Sequence, residues 1–558
     1  MIEAVDELVF VALGGVGEIG MNLALYGYGH GRNRTWLAVD MGVAFGHDDL
    51  PGVDAVLPDI GFLLERKGRL AGIVITHAHE DHYGALLNFW PLLQAPLYMT
   101  PFAAGLLAAK LAGEPNAPKI PVNIVRQRDR IVVGPFDVEY IPVSHSIPES
   151  NALAIRTPAG TVIHTGDWKL DPAPGLGLAT DEDRLAALGQ EGVLALVSDS
   201  TNAIREGISP SEGEVAVVLE RLIAEAPQRV AVTTFASNVA RLKAVAAAAQ
   251  RAGRDIVIVG RSIRRAVDVA EELGYLEGLP PFLDQDAFGY LPRNKVVALM
   301  TGSQGEPRAA LSRIASGDHR EVALSSGDRV IFSSRTIPGN ERPVNFIINA
   351  LVNMGAEVIT DRDALVHTSG HPRRDELRQL YGWTKPQIVV PVHGEALHLH
   401  EQAKVARAAG VPQVIEIRNG QMIRLAPGPA ERLDNVKHGR LYRDGRLLIS
   451  HEESGVGERR RLAFAGLVSV AIVLSDSGDI LEDPAIMLAG IPSADAEGEK
   501  LLKLVEDAVD EALDSLPKAR RRDAGLVRES VRRAVRGAVD QAWGKKPSAI
   551  VHVTHVSD

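Results

Sequence analysis

The feature that most constrains the fold is a set of short apolar runs that each lead into a histidine or an aspartate. The sharpest case is the run Gly72–Thr76, which is followed by four ligand-type side chains within six positions. The side chains that follow such runs are Asp40, His77, His79, Asp81, His82, His145 and Asp167. A lone aspartate at a strand end is usually a turn former or a helix cap. Because an α/β sheet gathers its strand ends along one edge, the whole set predicts one site, and neutral imidazole with carboxylate suits a divalent ion such as zinc.

The composition limits what such a site can do. Cysteine is absent, which excludes disulfides, thiolate ligands and thiol catalysis and fits a reducing compartment. The net charge of −11 means that any nucleic acid must bind in a local basic channel on an acidic body. The N-terminus lacks a basic leader region, and the longest apolar stretch, Leu462–Leu474, is shorter than the ~20 residues of a membrane span. A cytoplasmic protein without a membrane partner is therefore expected.

The 558 residues are too many for one core, so two or three domains are expected. Strands and helices alternate over residues 1–208 and again over 209–364, where the buried strands predict a separate parallel sheet. Residues 365–447 return to the first pattern, so the second domain is predicted to be an insertion. The charged segment 448–462 is predicted to be a linker, and residues 463–558 a small α+β domain. The predicted elements of that last domain are a strand near Leu467–Leu474, helices near Asp495–Leu516 and Ala524–Trp543, and a strand over Ala549–Val556.

These motifs resemble those of a known family. Asp40, the 77–82 segment, His145 and Asp167 resemble the four metal motifs of the metallo-β-lactamase fold, an αββα sandwich. Without a cysteine ligand, the set is similar to its phosphodiesterase branch. Asp199, His367 in His367-Thr-Ser-Gly-His371 and His393 resemble motifs A, B and C of the β-CASP nucleases. Over nearly the whole chain the sequence resembles the ribonuclease J family, and this includes the Gly-rich opening Leu13–Gly20, which by itself is interpreted as a tight turn.

The resemblance implies a two-metal site. One ion is expected on His77, His79 and His145, the other on Asp81, His82 and His393, and Asp167 is expected to bridge them. Asp40 is expected to orient a ligand histidine. Zinc is the expected metal, with manganese or magnesium as alternatives. The expected catalytic residues are Asp81 and the acid His367, which Asp199 would keep protonated.

The resemblance also implies the substrate and the partners. It predicts hydrolysis of RNA from 5′ to 3′ at 5′-monophosphate ends, with internal cutting as well, in RNA processing and decay. The expected phosphate contacts are Ser237, His367, Thr368, Ser369, Gly370 and His371. A homo-oligomer, dimer or tetramer, is expected through the C-terminal domain, and other proteins of an RNA-degradation complex are expected as partners.

Two other interpretations stay open on the sequence. One is a different hydrolase of the same fold, such as a tRNA 3′-processing nuclease or a thioester hydrolase, but Asp199, His367 and the long insert disfavour it. The other is a non-catalytic scaffold for RNA degradation. A complete set of competent metal ligands disfavours the scaffold, since a site without chemistry has no reason to keep them.

Overall fold

The computed structural model describes residues 5–46, 49–337 and 339–557. The chain divides into two compact units, one formed by Met1–Phe45 and Ala55–Leu441 and the other by Gly46–Asp54 and Tyr442–Asp558. Among the described residues, no helix combines the length and the apolar character needed to cross a membrane.

The first unit begins with a series of strands and helices in which every strand except the fourth and fifth belongs to one of two sheets. The strands are β1 (Glu7–Gly14), β2 (Leu23–Gly29), β3 (Thr35–Val39), β4 (Ala44–Phe45), β5 (Ala55–Pro58), β6 (Leu70–Val74), β7 (Leu97–Met99), β8 (Val122–Ile124), β9 (Arg130–Val133), β10 (Phe136–Pro142), β11 (Asn151–Thr157), β12 (Gly160–His164) and β13 (Ala195–Asp199). The helices are α1 (Gly61–Leu64), α2 (Glu80–Tyr83), α3 (Leu86–Leu93), α4 (Pro101–Ala112) and α5 (Glu182–Glu191).

The insert and the return to the first layers follow. The elements of the insert are α6 (Glu212–Glu225), β14 (Val230–Thr233), α7 (Val239–Arg251), β15 (Asp255–Val259), α8 (Arg261–Glu272), β16 (Val296–Met300), α9 (Ala310–Ala315), β17 (Arg329–Phe332), α10 (Glu341–Asn353) and β18 (Glu357–Ile359). The returning elements are α11 (Arg374–Thr384), β19 (Ile388–Val392), α12 (Ala396–Ala408), β20 (Gln413–Val414), β21 (Gln421–Ala426) and β22 (Glu431–Asn435).

Two sheets face each other in the first unit. One has the strand order β22-β21-β1-β2-β3-β6-β7-β8 and the other β20-β19-β13-β12-β11-β10-β9. Apolar side chains from both sheets, such as Phe10 and Leu153, share one core between them. Outside the sheets, Phe62 of α1 packs on Trp36 with ring centroids 5.1 Å apart, and Leu188 of α5 packs with Leu196 of β13. This is the αββα sandwich that the resemblance to the metallo-β-lactamase fold implied.

The insert has its own sheet, with the order β15-β16-β14-β17-β18 and every pairing parallel. Its central strands are buried along their whole length, as in a parallel sheet covered on both faces. The chain then returns to the sheet it left, because β19 pairs in parallel with β13 and places Val392 opposite Asp199. In the sequence, the insert therefore lies between two strands that are neighbours in that sheet.

The long segment of the second unit starts within β23 (Arg440–Asp444). It continues with β24 (Leu447–Ser450), α13 (Val456–Ala465), β25 (Leu467–Ser475), β26 (Ala485–Ala489), α14 (Leu501–Asp514), α15 (Lys518–Arg521), α16 (Ala524–Trp543) and β27 (Ser548–Val556). Strand β25 runs between β26 and β27, and its buried side chains pack on valines of α14 and α16. The prediction of a linker over 448–462 is wrong. That segment contains most of α13, whose many charged residues have good helix propensity and whose Val456 is buried.

Candidate active site

The predicted ligands follow the carboxyl ends of strands that run in the same direction within their sheets. His77 follows β6, which is parallel to β3, and Asp167 follows β12, which is parallel to β13. His145 and His393 follow β10 and β19 in the same way. Polar side chains of both sheets therefore meet at one edge of the sandwich.

The first group of ligand atoms consists of His77, His79, His145 and Asp167, and all of them lie within 4.8 Å of one another. Nδ1 of His79 is 3.2 Å from Nε2 of His77 and 3.0 Å from Nε2 of His145. Oδ2 of Asp167 is 3.7 Å from both Nε2 atoms. Three ring nitrogens converge on one point with a carboxylate oxygen beside it.

The second group consists of Asp81, His82, Asp167 and His393. Oδ2 of Asp167 lies 3.2 Å from Nε2 of His82 and 3.3 Å from Nε2 of His393. Oδ2 of Asp81 is 3.5 Å and 3.9 Å from the same two nitrogens. One oxygen of Asp167 thus belongs to both groups, and its other oxygen is buried without a hydrogen-bond partner in the described residues. Five imidazoles and two carboxylates in this arrangement fit two divalent ions with a shared ligand.

Asp40 lies behind the second group. Its Oδ2 accepts a hydrogen bond of 2.7 Å from Nδ1 of His82, and its Oδ1 accepts the backbone N–H of Thr76 at 2.8 Å. The hydroxyl of Thr76 donates to Asp40 at 2.9 Å and lies 3.0 Å from Nδ1 of His77. These contacts leave Nε2 of His77 and of His82 directed into the site.

Two further contacts orient ligands and were not foreseen from the sequence. Nδ1 of His145 donates to the carbonyl of Gly370 at 2.7 Å, and Nδ1 of His393 lies 2.9 Å from Oδ1 of Asn22. Asn22 lies two positions after the Gly-rich opening, and the carbonyl of Gly15 in that opening accepts the backbone N–H of His393 at 2.7 Å. Gly15 has φ +82°, and a Cβ there would lie 2.2 Å from Asn22 Oδ1. The opening is therefore more than a turn, because it supports His393.

Burial and neighbouring charges set the pKa values of the histidines in opposite directions. Burial lowers the pKa of His77 and His79 well below the usual 6.5 and that of His145 to about 4, and neighbouring imidazoles contribute in the same direction. Burial also lowers the pKa of His82 and His393, but Asp167 and Asp81 outweigh it and raise both. In turn, His393 and His82 overcome burial and lower the pKa of Asp167.

The prediction that Asp199 holds His367 is wrong, because Asp199 holds His371. Nδ1 of His371 lies 2.7 Å from Oδ2 of Asp199, and its ring centroid is 5.2 Å from that of His145. Burial lowers the pKa of His371, yet Asp199 and then Asp167 raise it to about 9.

His367 has different surroundings. Burial and the cations of Arg241, Arg335 and Lys169 lower its pKa well below 6.5, and its Nδ1 has no hydrogen-bond partner in the part of the chain that the structure describes. The carbonyl just before it, of Val366, accepts from Arg241 at 2.9 Å. This contact ties the start of the motif to the insert.

The predicted phosphate contacts divide into two sets. Oγ of Ser369 accepts from the amide of Asn202 at 2.8 Å, which leaves its own proton free. The hydroxyl of Thr368 is buried and donates to the carbonyl of Pro210 at 2.7 Å, so it serves the fold. Ser237 is half-buried just before α7, and no hydrogen bond among the described residues joins it to Ser369.

Comparison with known proteins agrees with this geometry. The matching family models are those for the metallo-beta-lactamase superfamily over residues 56–192, the ribonuclease J beta-CASP domain over 227–351, the Zn-dependent metallo-hydrolase RNA specificity domain over 355–417 and the ribonuclease J C-terminal domain over 455–556. A ribonuclease J of Sinorhizobium meliloti is 57% identical over 99% of this chain and 98% of its own length. The chain belongs to the ribonuclease J family.

More distant members of the ribonuclease J family also match over almost the whole chain. The protein of Corynebacterium glutamicum is 38% identical over 99% of this chain and 77% of its own length, and that of Thermus thermophilus 36% over 97% and 94%. A solved structure of a protein of unknown function from Enterococcus faecalis matches 75% of this chain and all of its own, with a TM-score of 0.53 and 17% identity, which shows the fold alone. The Zn-dependent description and the two ligand groups together establish that the site uses divalent metal.

Proposed function

We propose that this member of the ribonuclease J family, a metal-dependent ribonuclease, degrades RNA from 5′-monophosphate ends and also cuts internally. The observation that carries the proposal is the position of Asp167, whose Oδ2 lies 3.2–3.7 Å from four imidazole nitrogens. We assign His77, His79 and His145 to one ion and the second group to the other, with Asp167 on both. The nitrogen-rich ligands favour zinc over magnesium, which prefers oxygen.

When bound, the two divalent ions polarise the phosphodiester and neutralise the charge that develops on it. The residues of the chain supply the proton transfers. Asp81 retains 28% exposure of its side chain and is positioned to take the proton that the attacking water loses. A bond then forms between the water oxygen and phosphorus, and the bond from phosphorus to the leaving oxygen breaks.

His371 is the residue that we assign as proton donor, in place of His367. A nuclease that acts repeatedly on 5′-monophosphate ends must leave a 5′-phosphate after each cut, so the 3′ oxygen of the released nucleotide is the leaving group. His371 is held by Asp199 and has a pKa of about 9, so it carries a proton at neutral pH. Its ring is within 5.5 Å of His145 and His393, one from each ligand group.

The end of the RNA is assigned to the loop that carries His371. The hydroxyl of Ser369 has its proton free for a phosphate oxygen, and His367 lies among the cations Arg241, Arg335 and Lys169. We also assign Ser237, which lies on the insert just before α7, as a contact of the terminal phosphate. Gly370 contributes differently, because its carbonyl orients His145 and a Cβ there would lie 2.4 Å from that ring.

A second copy of the chain is the partner that we assign to the C-terminal sheet. Strand register places Met487, Ser469 and Ile550 side by side across β26, β25 and β27, and Met487 and Ile550 keep 57% and 45% of their surface exposed. Exposed apolar side chains on two strands of the same sheet face are typical of a surface that binds another protein. Ile550→Asp should lower the particle mass measured by light scattering, whereas an unchanged mass would refute this face as the interface.

The test of the reaction is digestion of one RNA labelled at its 5′ end and carrying either one or three terminal phosphates. The expected result is release of labelled mononucleotide from the monophosphorylated RNA and much slower release from the triphosphorylated one. Products that grow shorter from the 3′ end would contradict the polarity. An intact RNA, with both metals bound, would favour the non-catalytic scaffold.

A further inference from the structure

A fully buried carboxylate lies outside the ligand groups and has no role in the reaction described above. Glu376 is the third residue of α11 and is 0% exposed. Its Oε1 accepts the backbone N–H of Leu170 at 2.8 Å, and its Oε2 accepts those of Ser209 at 2.9 Å and Arg373 at 2.8 Å. One side chain thus holds three backbone segments.

Each of these segments carries a residue of the proposed chemistry. Leu170 lies three positions after Asp167, and Arg373 lies two positions after His371. Ser209 lies on the segment that leads from Asp199 to the insert. The bond from Arg373 is an ordinary helix cap. The other two come from segments 206 and 167 residues away, and no helix requires them.

The contact with Ser209 continues to the proposed proton donor. The hydroxyl of Ser209 donates to the backbone carbonyl of His371 at 3.0 Å. The same carbonyl accepts from Asn202 at 3.2 Å, and Asn202 also donates to Ser369. Glu376 is therefore connected to the backbone of His371 from both sides, through Arg373 along the chain and through Ser209 across it.

We propose that Glu376 is a positioning residue that fixes His371 relative to Asp167 and thereby aims its proton at the leaving oxygen. The proposal rests on the assignment of His371 as proton donor. Only a carboxylate suits the place of Glu376, because it accepts on both oxygens. An amide accepts on one oxygen and would direct its NH₂ group at a backbone N–H.

The experiment compares two versions of one 5′-monophosphorylated RNA as substrates of the full-length protein loaded with zinc. In one version the 3′ bridging oxygen of the first nucleotide is replaced by sulfur, whose thiolate leaves without a proton. Glu376→Gln should lower kcat on the oxygen RNA about ten- to a hundred-fold, since a positioned acid contributes 10²–10⁴-fold. It should keep the wild-type rate on the sulfur RNA, the wild-type KM and the wild-type metal content. Asp375→Asn, an exposed neighbour on the same helix, is the matched control and should behave as wild type.

His371→Ala, measured in parallel, separates the two hypotheses. If it slows both RNAs equally, the role of His371 as acid fails. If it slows only the oxygen RNA while Glu376→Gln slows both, loses metal or slows neither, the positioning role is overturned. If Glu376→Gln fails to fold, Ser209→Ala tests the positioning role instead. This substitution removes only the hydrogen bond from the Ser209 hydroxyl to the His371 carbonyl. A selective loss on the oxygen RNA supports the proposal, and an unchanged rate on both overturns it.

Discussion

Both ligand groups are built mainly from histidines, yet the pKa values of these histidines are shifted in opposite directions. In the group of His77, His79 and His145, burial dominates and the pKa values lie below 6.5. In the group of His82 and His393, carboxylates dominate and the pKa values lie above 6.5. The histidines of the first group are therefore neutral and ready to bind a cation at pH 7, whereas a cation that enters the second group must displace protons from its histidines.

This comparison shows that the placement of carboxylates decides the charge of a buried histidine. Asp81 and Asp40 both lie within 4 Å of His82, whereas among the described residues Asp167 is the only carboxylate that comes within 4 Å of His77 and His145. His371 follows the second pattern, since Asp199 and Asp167 raise its pKa. At neutral pH the protons are therefore held by the histidines with raised pKa values, His82, His393 and His371.

The largest expected effect comes from breaking either group. His77→Ala, in the first, and Asp81→Ala, in the second, should each abolish RNA cleavage, because the two ions act together on one phosphodiester. RNA binding should largely survive, because it depends on the basic channel that is expected to hold the phosphates. It is measured by filter binding in parallel with a cleavage assay. His30→Ala, which changes an exposed histidine, is the control. Cleavage above a trace in a variant that is fully loaded with metal would show that the substituted residue is not part of the active site.

The next-largest effect compares His371, whose pKa is raised, with His367, whose pKa is lowered. His371→Ala should lower kcat on RNA by about 10²–10⁴-fold, which is the contribution of a general acid. His367→Ala should raise KM for a monophosphorylated RNA and change kcat much less, because His367 does not contact Asp199. Steady-state kinetics of the two variants decides between them. The reverse ranking would restore His367 as the acid.

The residues assigned to the metal could be named from the sequence, because His77, His145, Asp167 and His393 each come shortly after a buried strand. The resemblance to the family implied the rest of the set. The choice between His367 and His371 could not, because they lie in an irregular loop. The direction of that loop depends on Arg241, which is 125 residues away from the Val366 carbonyl it contacts. The roles of Asn22 and Glu376 could not be predicted either, because each is a single polar residue whose hydrogen-bond partners lie far along the chain. In the C-terminal domain, β25, β27, α14 and α16 follow apolar periodicity and could be predicted, whereas α13 lacks an apolar stripe, so its charged sequence predicts a linker.

The pH dependence of stability should separate the two kinds of histidine in metal-free protein. His145 has a folded pKa of about 4 against 6.5 unfolded, so its contribution is present above pH 6.5 and is lost as the pH falls toward 4. The lowering of this pKa corresponds to ~3 kcal/mol of stability. His371, with a folded pKa of about 9, contributes stability below pH 6.5 that is lost as the pH rises through 9.

Urea unfolding in a chelator between pH 4 and pH 10 measures both contributions. His145→Asn should flatten the acid side of the profile, and His371→Asn should flatten the alkaline side. If both substitutions change the same side, the opposite assignment of the two pKa shifts is incorrect.

A smaller effect concerns the RNA end. Ser369→Ala removes a hydroxyl whose hydrogen bond to a charged phosphate is worth roughly 1.5–3 kcal/mol, so hydrolysis from a 5′-monophosphate end should slow by about one to two powers of ten. A circular RNA of the same sequence has no end and should be cut at nearly the wild-type rate. Equal losses on the linear and circular RNAs would mean that Ser369 acts in the chemistry or in folding.

The most direct test of the central claim, that two ions share Asp167, is the metal content of dialysed variants measured by mass spectrometry. The wild type should hold two ions per chain. His77→Ala and His393→Ala should each keep the ion of the undamaged group, and Asp167→Ala should lose both. Asp167→Ala that retains two ions per chain would contradict the account, because the ions would then not depend on the oxygen that both groups contain.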